Sequence, residues 1–316
     1  MALDTGPVPD VIGVGANSVD IVCRLPEYPR PHAPFTKLPM TDSLVSCGGQ
    51  VTTALATCVA MGLRASYIGT TGSDNHGARM RAELARLGID TTHAVVRDVA
   101  NPFAVILIDD REGERIVLWR RDPQVALQAG DIDADAIRSA RLLHVDDVDP
   151  DASIEAARIA RARGLPVTSD IERTTDNVHA LIDAVTVPIF AEHVPEALTG
   201  EPDLARALAA LRRPHHAMVC VTLGARGALL LEGDHLHRQP GVPVNAVDTT
   251  GAGDVFRGAF IYALLRGDRP ADILRFANAA AALSCTRVGA MRSVPTLEET
   301  GSWLTTQGLR SVSHET

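Results

Sequence analysis

The stretch Val247-Asp248-Thr249-Thr250-Gly251-Ala252-Gly253-Asp254 runs directly into the apolar segment VFRGAFIYALL at 255–265. Two glycines around an alanine at the start of a predicted helix leave consecutive backbone N–H groups unobstructed. The helix dipole adds positive potential at the same place, so such a turn binds an anion such as a phosphate group. The stretch therefore predicts an anion site at the N-terminus of a helix over 252–266.

Asp254 places a carboxylate in the first turn of that helix, beside the predicted anion site. This position suits a base that orients a hydroxyl and takes its proton while a phosphoryl group is transferred to it. We expect the helix dipole to keep Asp254 ionised and only weakly basic, which the loose transition state of phosphoryl transfer tolerates. A glycine-rich turn with an aspartate helix cap is the structural alternative.

Strand and helix patterns alternate along most of the chain. Apolar runs predict strands at 10–16, 19–23, 65–70, 141–146, 165–170, 186–190 and 217–223. Helices are predicted at 48–61, 75–87, 151–163, 175–184, 194–200, 203–212, 252–266 and 270–288, and a further hairpin at 226–238. This order predicts a mostly parallel sheet covered by helices on both faces.

Two parts of the chain depart from the alternation. The β runs 103–109 and 115–120 predict a hairpin, and 24–43 is proline-rich and irregular. We expect one α/β domain over 1–316 with the hairpin as a small appendage.

Charge and composition disfavour several classes of partner. The chain has 39 acidic against 30 basic residues and a formal charge of −9, with no basic tract for a nucleic acid or an anionic membrane. The N-terminal residues lack the pattern of a signal peptide, and no apolar stretch is long enough for a membrane span. The five scattered cysteines signal neither a disulfide framework nor a zinc site. We expect a cytoplasmic protein.

Lys37 is the only lysine in the chain, and it stands in the context PFTKLPM. A Walker A loop needs G-x-x-x-x-G-K-[ST] and a protein kinase needs a lysine on its third strand, so both nucleotide-binding classes are excluded. Gly13-Val14-Gly15 follows a β run, but it lacks the third glycine and the acidic partner of a dinucleotide fingerprint.

The glycine stretch, with Phe256 and Gly258 after it, resembles the C-terminal signature of the ribokinase and phosphofructokinase-B family of sugar kinases. The N-terminal segment resembles the other signature of that family, in Gly48-Gly49 and Gly69-x-x-Gly72-x-Asp74-x-x-Gly77. The resemblance extends over nearly the whole chain. It implies a ribokinase-like three-layer sandwich with a small β lid, and ATP-dependent phosphorylation of a sugar hydroxyl.

The resemblance also assigns roles to the residues around the glycine stretch. It implies that Asp254 is the base and that Gly251, Ala252 and Gly253 form the anion hole for the transferring phosphate. It implies a monovalent cation, usually K⁺ in the family, ringed by Asp248, Thr250, Ser284, Arg287, Gly289 and Ser293.

Further positions match the two substrate sites of the family. The resemblance implies that ATP phosphates lie at Thr222, Gly224, Arg226 and Gly227, and that Asn278 touches the adenine or ribose. It implies that the acceptor sugar lies at Asp20, Gly48 and Gly49, with Asp20 accepting hydrogen bonds from sugar hydroxyls.

Two positions depart from the family pattern. The N-x-x-E element that serves Mg²⁺ is replaced by Ala191-Glu192-His193-Val194, so we expect Glu192 to substitute for it. Thr53 stands where ribokinases place an asparagine against ribose, which puts ribose itself in doubt.

The predicted lid consists of residues 19–45 and 100–122, and its polar residues should select the acceptor. Leu118-Trp119-Arg120-Arg121-Asp122 resembles a segment of 2-keto-3-deoxygluconate kinases, while the distal half is more similar to the sulfofructose kinase branch. We expect an anionic sugar or ketose phosphate held by Lys37, Arg120 or Arg121. Solvated lid charges are the alternative.

The sequence leaves three questions open. A nucleoside kinase of the same fold and an inactive sugar-sensing regulator are the rival functions. A homodimer through the lid is possible because an exposed hairpin leaves an edge to pair. His144 and Asp146, at the end of a strand, can face the ligand crevice or cap the core.

Overall fold

The computed structural model describes residues 8–30, 37–111 and 115–306. Parts of the predicted lid, 31–36 and 112–114, lie outside the described residues. The N-terminal half contains β1 (Val11–Val14), β2 (Ser18–Leu25), β3 (Asp42–Gly48), α1 (Gln50–Ala60), β4 (Ala65–Ile68), β5 (Thr70–Gly72), α2 (Asn75–Leu87), β6 (Val95–Arg97), β7 (Phe103–Asp109), β8 (Arg115–Arg120), α3 (Ala134–Ser139) and β9 (Leu142–Asp146).

The C-terminal half continues the alternation of strands and helices. It contains α4 (Pro150–Ala162), β10 (Val167–Asp170), α5 (Val178–Ala184), β11 (Ile189–Ala191), α6 (Val194–Thr199), α7 (Leu204–Leu211), β12 (Val219–Thr222), β13 (Ala228–Glu232), β14 (His235–Gln239), α8 (Ala252–Arg266), α9 (Pro270–Ser284) and α10 (Leu297–Thr306).

The central sheet has the strand order β4-β1-β9-β10-β11-β12-β13-β14. Two isolated parallel bridges, Thr168 to Val187 and Ile171 to Phe190, join its two halves. Strands β4 to β12 are parallel and the last two are antiparallel, which confirms the predicted mostly parallel sheet. The carboxyl ends of the parallel strands therefore meet at one edge, where ligands of open α/β sheets bind.

Apolar side chains fill both faces of this sheet. On one face, Val145 and Val221 pack with residues of α4, α5 and α7. On the other, Val11 packs with α1 and α2, and Cys220 packs with α8 and α9. Because helices cover both faces, the prediction of a three-layer α/β sandwich is confirmed.

A second, four-stranded sheet has the order β3-β2-β7-β8, and we call it the small sheet. The predicted hairpin of β7 and β8 belongs to it, but the hairpin does not stand alone, because β7 pairs with β2 in parallel. The expectation of an irregular 24–43 was wrong at both ends, since β2 extends to Leu25 and β3 begins at Asp42. Cross-strand pairing supplies the order that the proline-rich sequence does not signal.

Helix α9 ends at Ser284 rather than at the predicted 288. The next residues turn back toward the start of α8, and the carbonyl of Cys285 accepts hydrogen bonds from the N–H groups of Val247 and Asp248. The chain thus leaves the helix to bind the segment before α8. In the described part of the chain, no helix has both the length and the apolar character needed to cross a bilayer.

Candidate active site

Helix α8 begins without a side-chain cap. Its N-cap residue is Gly251, which has a φ of 79° and makes no capping hydrogen bond through a side chain. A positive φ favours glycine, and an uncapped first turn leaves backbone N–H groups free for another acceptor. The glycine turn (residues 248–253) therefore leads into an uncapped helix start at the place where the sequence predicts an anion site, and the N–H of Ala252 donates to the carbonyl of Thr249.

Helix α1 begins in the same way and lies against α8. Its N-cap residue is Gly49, with a φ of 102° and no capping side chain. A Cβ on Gly251 would lie 3.5 Å from Cγ2 of Thr53, in the first turn of α1, and 2.9 Å from Cβ of Ala290. The positive ends of two helices thus lie close together, which favours a ligand with more than one negative or electron-rich group.

Asp20 lies beside the start of α1 and is buried. A Cβ on Gly48 would overlap Oδ2 of Asp20, so any larger residue at 48 would require this carboxylate to move. Ser18 donates a 2.9 Å hydrogen bond to Oδ1 of Asp20. The pKa of Asp20 is raised above its ordinary value, first by burial and also by the negative charge of Asp248, although the Ser18 hydrogen bond opposes this.

Thr53 is fully buried, and its hydroxyl has no hydrogen-bond partner among the described residues. A buried hydroxyl without a partner is unfavourable unless a ligand or water supplies one. The structure thus brings together four predicted acceptor residues at the start of α1, namely Asp20, Gly48, Gly49 and Thr53.

Asp248 ties the glycine turn to the segment after α9. Its carboxylate accepts hydrogen bonds of 2.9 Å from the backbone N–H groups of Thr250 and Gly289. Ser284 and Ser293 are buried, and each hydroxyl donates to a backbone carbonyl, which leaves its oxygen able to accept. These oxygen groups fit a hard monovalent cation. The guanidinium of Arg287 is bound to Glu299, so only the backbone of Arg287 is available to such an ion.

The predicted ATP residues follow β12. Thr222 ends the strand, and a short turn leads through Gly224 and Arg226 to Gly227, which has a φ of 96° and packs against the backbone of Gln239. Asn278 is buried on α9, and its amide donates a 3.0 Å hydrogen bond to the carbonyl of Leu274. The amide oxygen and the second N–H of Asn278 are then available to a nucleotide.

Glu192 forms an ion pair with Arg226. The predicted Mg²⁺ residue and a predicted phosphate-binding residue are therefore neighbours. A half-exposed carboxylate next to bound phosphates is a suitable Mg²⁺ ligand, because Mg²⁺ is usually shared between one or two carboxylates and substrate phosphates.

The charged residues of the predicted lid have different environments. Lys37 and Arg120 are exposed. Arg121 is instead bound to Asp149 through two hydrogen bonds of 2.6 and 2.7 Å. The strand register aligns Asp20, Ala104 and Trp119 on one face of the small sheet, and because side chains alternate, Arg120 lies on the opposite face.

His144 and Asp146 lie in the carboxyl-terminal half of β9. His144 is fully buried and its Nδ1 lies 3.0 Å from Oγ1 of Thr168. Asp146 accepts hydrogen bonds from the N–H groups of Ala16 and Val148, at 2.7 and 3.0 Å. The core-capping alternative therefore applies to both residues.

Asp254 is half-buried in the first turn of α8, but its ionisation differs from the sequence expectation. Its pKa is raised well above the ordinary value, because burial removes water and because the carboxylates of Asp170 and Glu172 are near. Arg257 opposes the rise. The expectation that the helix dipole keeps Asp254 weakly basic was wrong, since desolvation and like charges outweigh the dipole.

Sequence reasoning missed three residues of this site. Arg257 is almost completely buried on α8, Asp170 ends β10, and Arg115 on β8 reaches Thr250. A signal existed for Arg257, because an arginine between apolar residues of a predicted buried helix needs a buried partner. Nothing local identifies Asp170 as that partner.

The model for the pfkB family of carbohydrate kinases matches residues 43–297. Ribokinase of Haemophilus influenzae is 28% identical over 92% of this chain and 97% of its own length. An ATP-dependent ribose-1-phosphate kinase of Halopiger xanaduensis is 28% identical over 93% of this chain and 97% of its own. The crystal structure of a putative ribokinase from Agrobacterium tumefaciens superposes with a TM-score of 0.88 at 30% identity, covering 96% of this chain and all of that one.

Proposed function

Because this chain belongs to the pfkB family of carbohydrate kinases, we propose that it transfers the terminal phosphoryl group of ATP to a hydroxyl of an anionic sugar. The observation that carries the proposal is the position of Asp254, in the uncapped first turn of α8 beside the acceptor residues of α1. A carboxylate and an anion-binding turn at one helix end are the two groups that phosphoryl transfer to a hydroxyl requires.

The roles of the residues follow from this arrangement. Asp20 accepts hydrogen bonds from the acceptor and orients the reactive hydroxyl toward Asp254. Asp254 takes the proton of that hydroxyl as the new P–O bond forms and the bond to the ADP oxygen breaks. The raised pKa of Asp254 makes it a stronger base near neutral pH. The N–H groups of Gly251, Ala252 and Gly253 stabilise the negative charge on the transferring phosphoryl group.

The nucleotide is assigned to the turn after β12, with Thr222, Gly224, Arg226 and Gly227 at its phosphates and Asn278 at its base or ribose. Mg²⁺ would be held with the help of Glu192, and K⁺ by Asp248 and the carbonyl and hydroxyl groups of Thr250, Ser284, Arg287, Gly289 and Ser293. When bound, these cations neutralise phosphate charge and stiffen the glycine turn. An enzyme that consumes ATP needs the nucleotide pool of the cytoplasm, so we propose that location as well.

An anionic acceptor is favoured by the cations of the predicted lid. Lys37 is exposed, and Arg115, on the same face of the small sheet as Asp20, lies beside the glycine turn at Thr250. Arg120 is also exposed, but it lies on the opposite face and does not support the acceptor site. One relative named above is called a ribose-1-phosphate kinase, which supports a sugar that already carries a negative group. Arg121 supports the acceptor site indirectly, through its ion pair with Asp149.

A second copy of this chain is the partner that we propose for the small sheet. Val45, Ile21, Val105 and Leu118 form one row across its four strands, on the face opposite Asp20. Val45 is 37% and Leu118 is 55% exposed. Two such apolar faces can pack on each other in a symmetric dimer.

The test is ATP consumption by the purified protein with Mg²⁺ and K⁺, against neutral sugars, sugar acids, sugar phosphates, a sulfosugar and nucleosides. We expect turnover with one anionic sugar and its loss by roughly a hundredfold or more in Asp254→Asn. Asp135→Asn, on an exposed side chain of α3, is the matched control and should retain full activity. Turnover with a neutral sugar alone would refute the anionic acceptor, and turnover with nucleosides alone would favour a nucleoside kinase.

The second candidate function is an inactive sugar sensor. The altered Mg²⁺ element, in which Glu192 is already paired with Arg226, favours it. A sensor would bind ATP and a sugar, seen as thermal stabilisation of the protein by each ligand, without turnover. Turnover that depends on Asp254 would reject it.

A further inference from the structure

Arg257 lies one helical turn after Asp254 and is the largest fully buried side chain among the described residues. Its Nη2 is 2.6 Å from Oδ1 of Asp170, at the carboxyl end of β10. The side chains are 1% and 0% exposed, so the charges are held away from water. Removing two charges from water is unfavourable unless good geometry and hydrogen bonds offset the lost hydration. A buried ion pair without such geometry calls for a role other than stability.

The geometry of this pair is poor for stability alone. Nε and Nη2 of Arg257 and both carboxylate oxygens of Asp170 lack an aligned hydrogen bond in the described part of the chain. The 2.6 Å contact is therefore an ion pair whose N–H groups do not point at the oxygens. A well-packed apolar pair at this place would often be at least as stable.

The guanidinium of Arg257 lies directly beneath the glycine turn. A Cβ on Gly253 would stand 2.7 Å from Nη1 of Arg257, which means that the charge touches the backbone of the proposed anion hole. A Cβ at position 253 would therefore require this guanidinium to move. The positive charge is thus fixed between the end of the central sheet and the residue that precedes Asp254.

We propose that Arg257 and Asp170 are positioning residues, a buried ion pair that sets the charge state of Asp254 and holds the turn before it. Neither side chain is accessible to a substrate, so neither is a catalytic residue in its own right. The inference rests on the proposed function only in taking Asp254 as the base. Arg257 lowers the pKa of Asp254 and so favours its ionised form. Asp170 opposes this effect and so preserves the basicity of Asp254.

Charged and titratable groups face this pair from every element packed around it. Glu172, just after β10, has Oε1 at 4.0 Å from Nη2 of Arg257 and is half exposed. The end of β9 contributes Asp146, Asp147 and the neutral His144, whose pKa is lowered to about 3 first by burial and then by Arg257. The buried thiol of Cys220 faces Arg257 from β12. Carboxyl groups outnumber the single guanidinium, and the pKa of Asp170 is raised well above its ordinary value, first by burial. Removal of the guanidinium should therefore change the titration of Asp254 strongly.

The two partners should act on Asp254 in opposite directions. In Arg257→Met, the acidic groups face one another without compensation, so the pKa of Asp254 should rise by about one unit or more. In Asp170→Asn, the guanidinium is left with fewer acidic neighbours, so the pKa of Asp254 should fall by a similar amount. In the double variant, the pKa of Asp254 should lie between the values of the two single variants, because a positive and a negative charge are removed together.

The experiment is a carbon-13 NMR titration of aspartate γ-carboxyl groups in the protein without ligands. Asp254→Asn identifies the resonance of Asp254 by its disappearance. Arg257→Lys keeps the charge and should leave the titration near that of the unmodified protein. Arg266→Gln removes a charge from the exposed end of the same helix, where Arg266 pairs with Asp268, and should not move the resonance.

Opposite shifts in the two single variants would support the proposal. No shift in Asp170→Asn would overturn it, because Asp170 would then be protonated and no ion pair would exist. Shifts in the same direction would also overturn it, since a general disturbance of the fold acts without regard to charge. If Arg257→Met does not fold, the proposal is tested by the other two variants: the pKa of Asp254 should fall in Asp170→Asn and stay nearly unchanged in Arg257→Lys.

Kinetics separate this inference from the proposed function. The acid limb of the kcat profile should move with the Asp254 titration, to higher pH in Arg257→Met and to lower pH in Asp170→Asn. Opposite NMR shifts without turnover on any acceptor would leave the ion pair established and reject the kinase. Turnover with an unmoved acid limb in both variants would leave the kinase established and reject the role of the pair.

Discussion

The guanidinium of Arg115 donates a 3.0 Å hydrogen bond to the hydroxyl of Thr250, 135 positions away in the chain. Arg115 begins β8, the edge strand of the small sheet, and Thr250 lies in the glycine turn. A side chain of the predicted lid is therefore already in contact with the turn where we propose that phosphate is transferred. Closure of the small sheet over the acceptor and order in the turn should depend on each other.

Arg115→Leu should weaken acceptor binding more than ATP binding. The variant loses one charge-assisted contact between the small sheet and the turn, so we expect the acceptor KM to rise about tenfold with a smaller change in kcat. Initial rates at varied acceptor and ATP measure this. The control is Arg111→Leu, which should leave both constants unchanged. Arg111 is an exposed arginine of the same hairpin and pairs with Glu27, which follows β2. Equal effects in the two variants would contradict a specific role of the Arg115–Thr250 contact in acceptor binding.

Gly48→Ala should abolish acceptor binding while the protein still folds. The added methyl group would overlap the carboxylate of Asp20, which must move away from the acceptor side of α1. We expect the acceptor no longer to stabilise the protein in thermal melts, while ATP still does. Gly130→Ala adds a methyl group in open space and should behave like the unmodified protein. Acceptor binding retained in Gly48→Ala would show that Asp20 is not needed.

Asp10→Asn should destabilise the central sheet in a pH-dependent way. Asp10 accepts hydrogen bonds from Arg64 and Arg141, before β4 and β9, and so joins the starts of three neighbouring strands. Burial alone would raise the pKa of Asp10, but these hydrogen bonds outweigh it and lower the pKa to about 2. A lowered pKa stabilises the fold above the unfolded value near 4, and this stability is lost as pH falls toward 2.

Urea unfolding of Asp10→Asn at pH 7 should give a free energy of unfolding about 1 to 2 kcal/mol below that of the unmodified protein, after allowance for solvent screening of the exposed arginines. The difference should shrink when the same measurement is made near pH 3. A difference that does not vary with pH would mean that packing, not charge, explains the loss. Asp151→Asn removes the charge of an exposed carboxylate that accepts a hydrogen bond from Asn177, and it is a control.

Leu118→Glu should disrupt the proposed dimer. The substitution puts a charge into the apolar row on the outer face of the small sheet, where desolvation is unfavourable. We expect sedimentation velocity to show a shift from dimer to monomer at micromolar concentration. Leu236→Glu, at a similarly exposed leucine on β14, should leave the association state unchanged. A monomeric unmodified protein would reject the dimer outright.

Much of the α/β framework could be predicted from local pattern. The bounds of α2 agree with the prediction at both ends, because Asp74 caps its start and Gly88 ends it in the left-handed conformation. Strands β3 and β6 and helices α3 and α10 were missed. Their sequences are short or weakly periodic, and neighbouring elements rather than local propensity stabilise them.

In the candidate site, too, features of contiguous sequence were predicted and contacts between distant residues were not. The glycine turn and Asp254 were predicted because the turn, the helix start and the carboxylate are contiguous. The pairing of Arg257 with Asp170 and of Arg121 with Asp149 was not predicted, since each joins residues that are far apart along the chain. The assignments of individual residues to ATP, acceptor and cations remain proposals, and so does the lid.

By itself, the sequence determined the order of strands and helices, the anion-binding start of α8 and the family, since each depends on residue type at short spacing. The tertiary structure alone decided how these parts act on one another. Desolvation and the distances between charges decide an ionisation state, and both arise only when distant segments exclude water together. For that reason the raised pKa of Asp254, the contact of Arg115 with Thr250 and the buried charge beneath Gly253 became visible only in the folded chain.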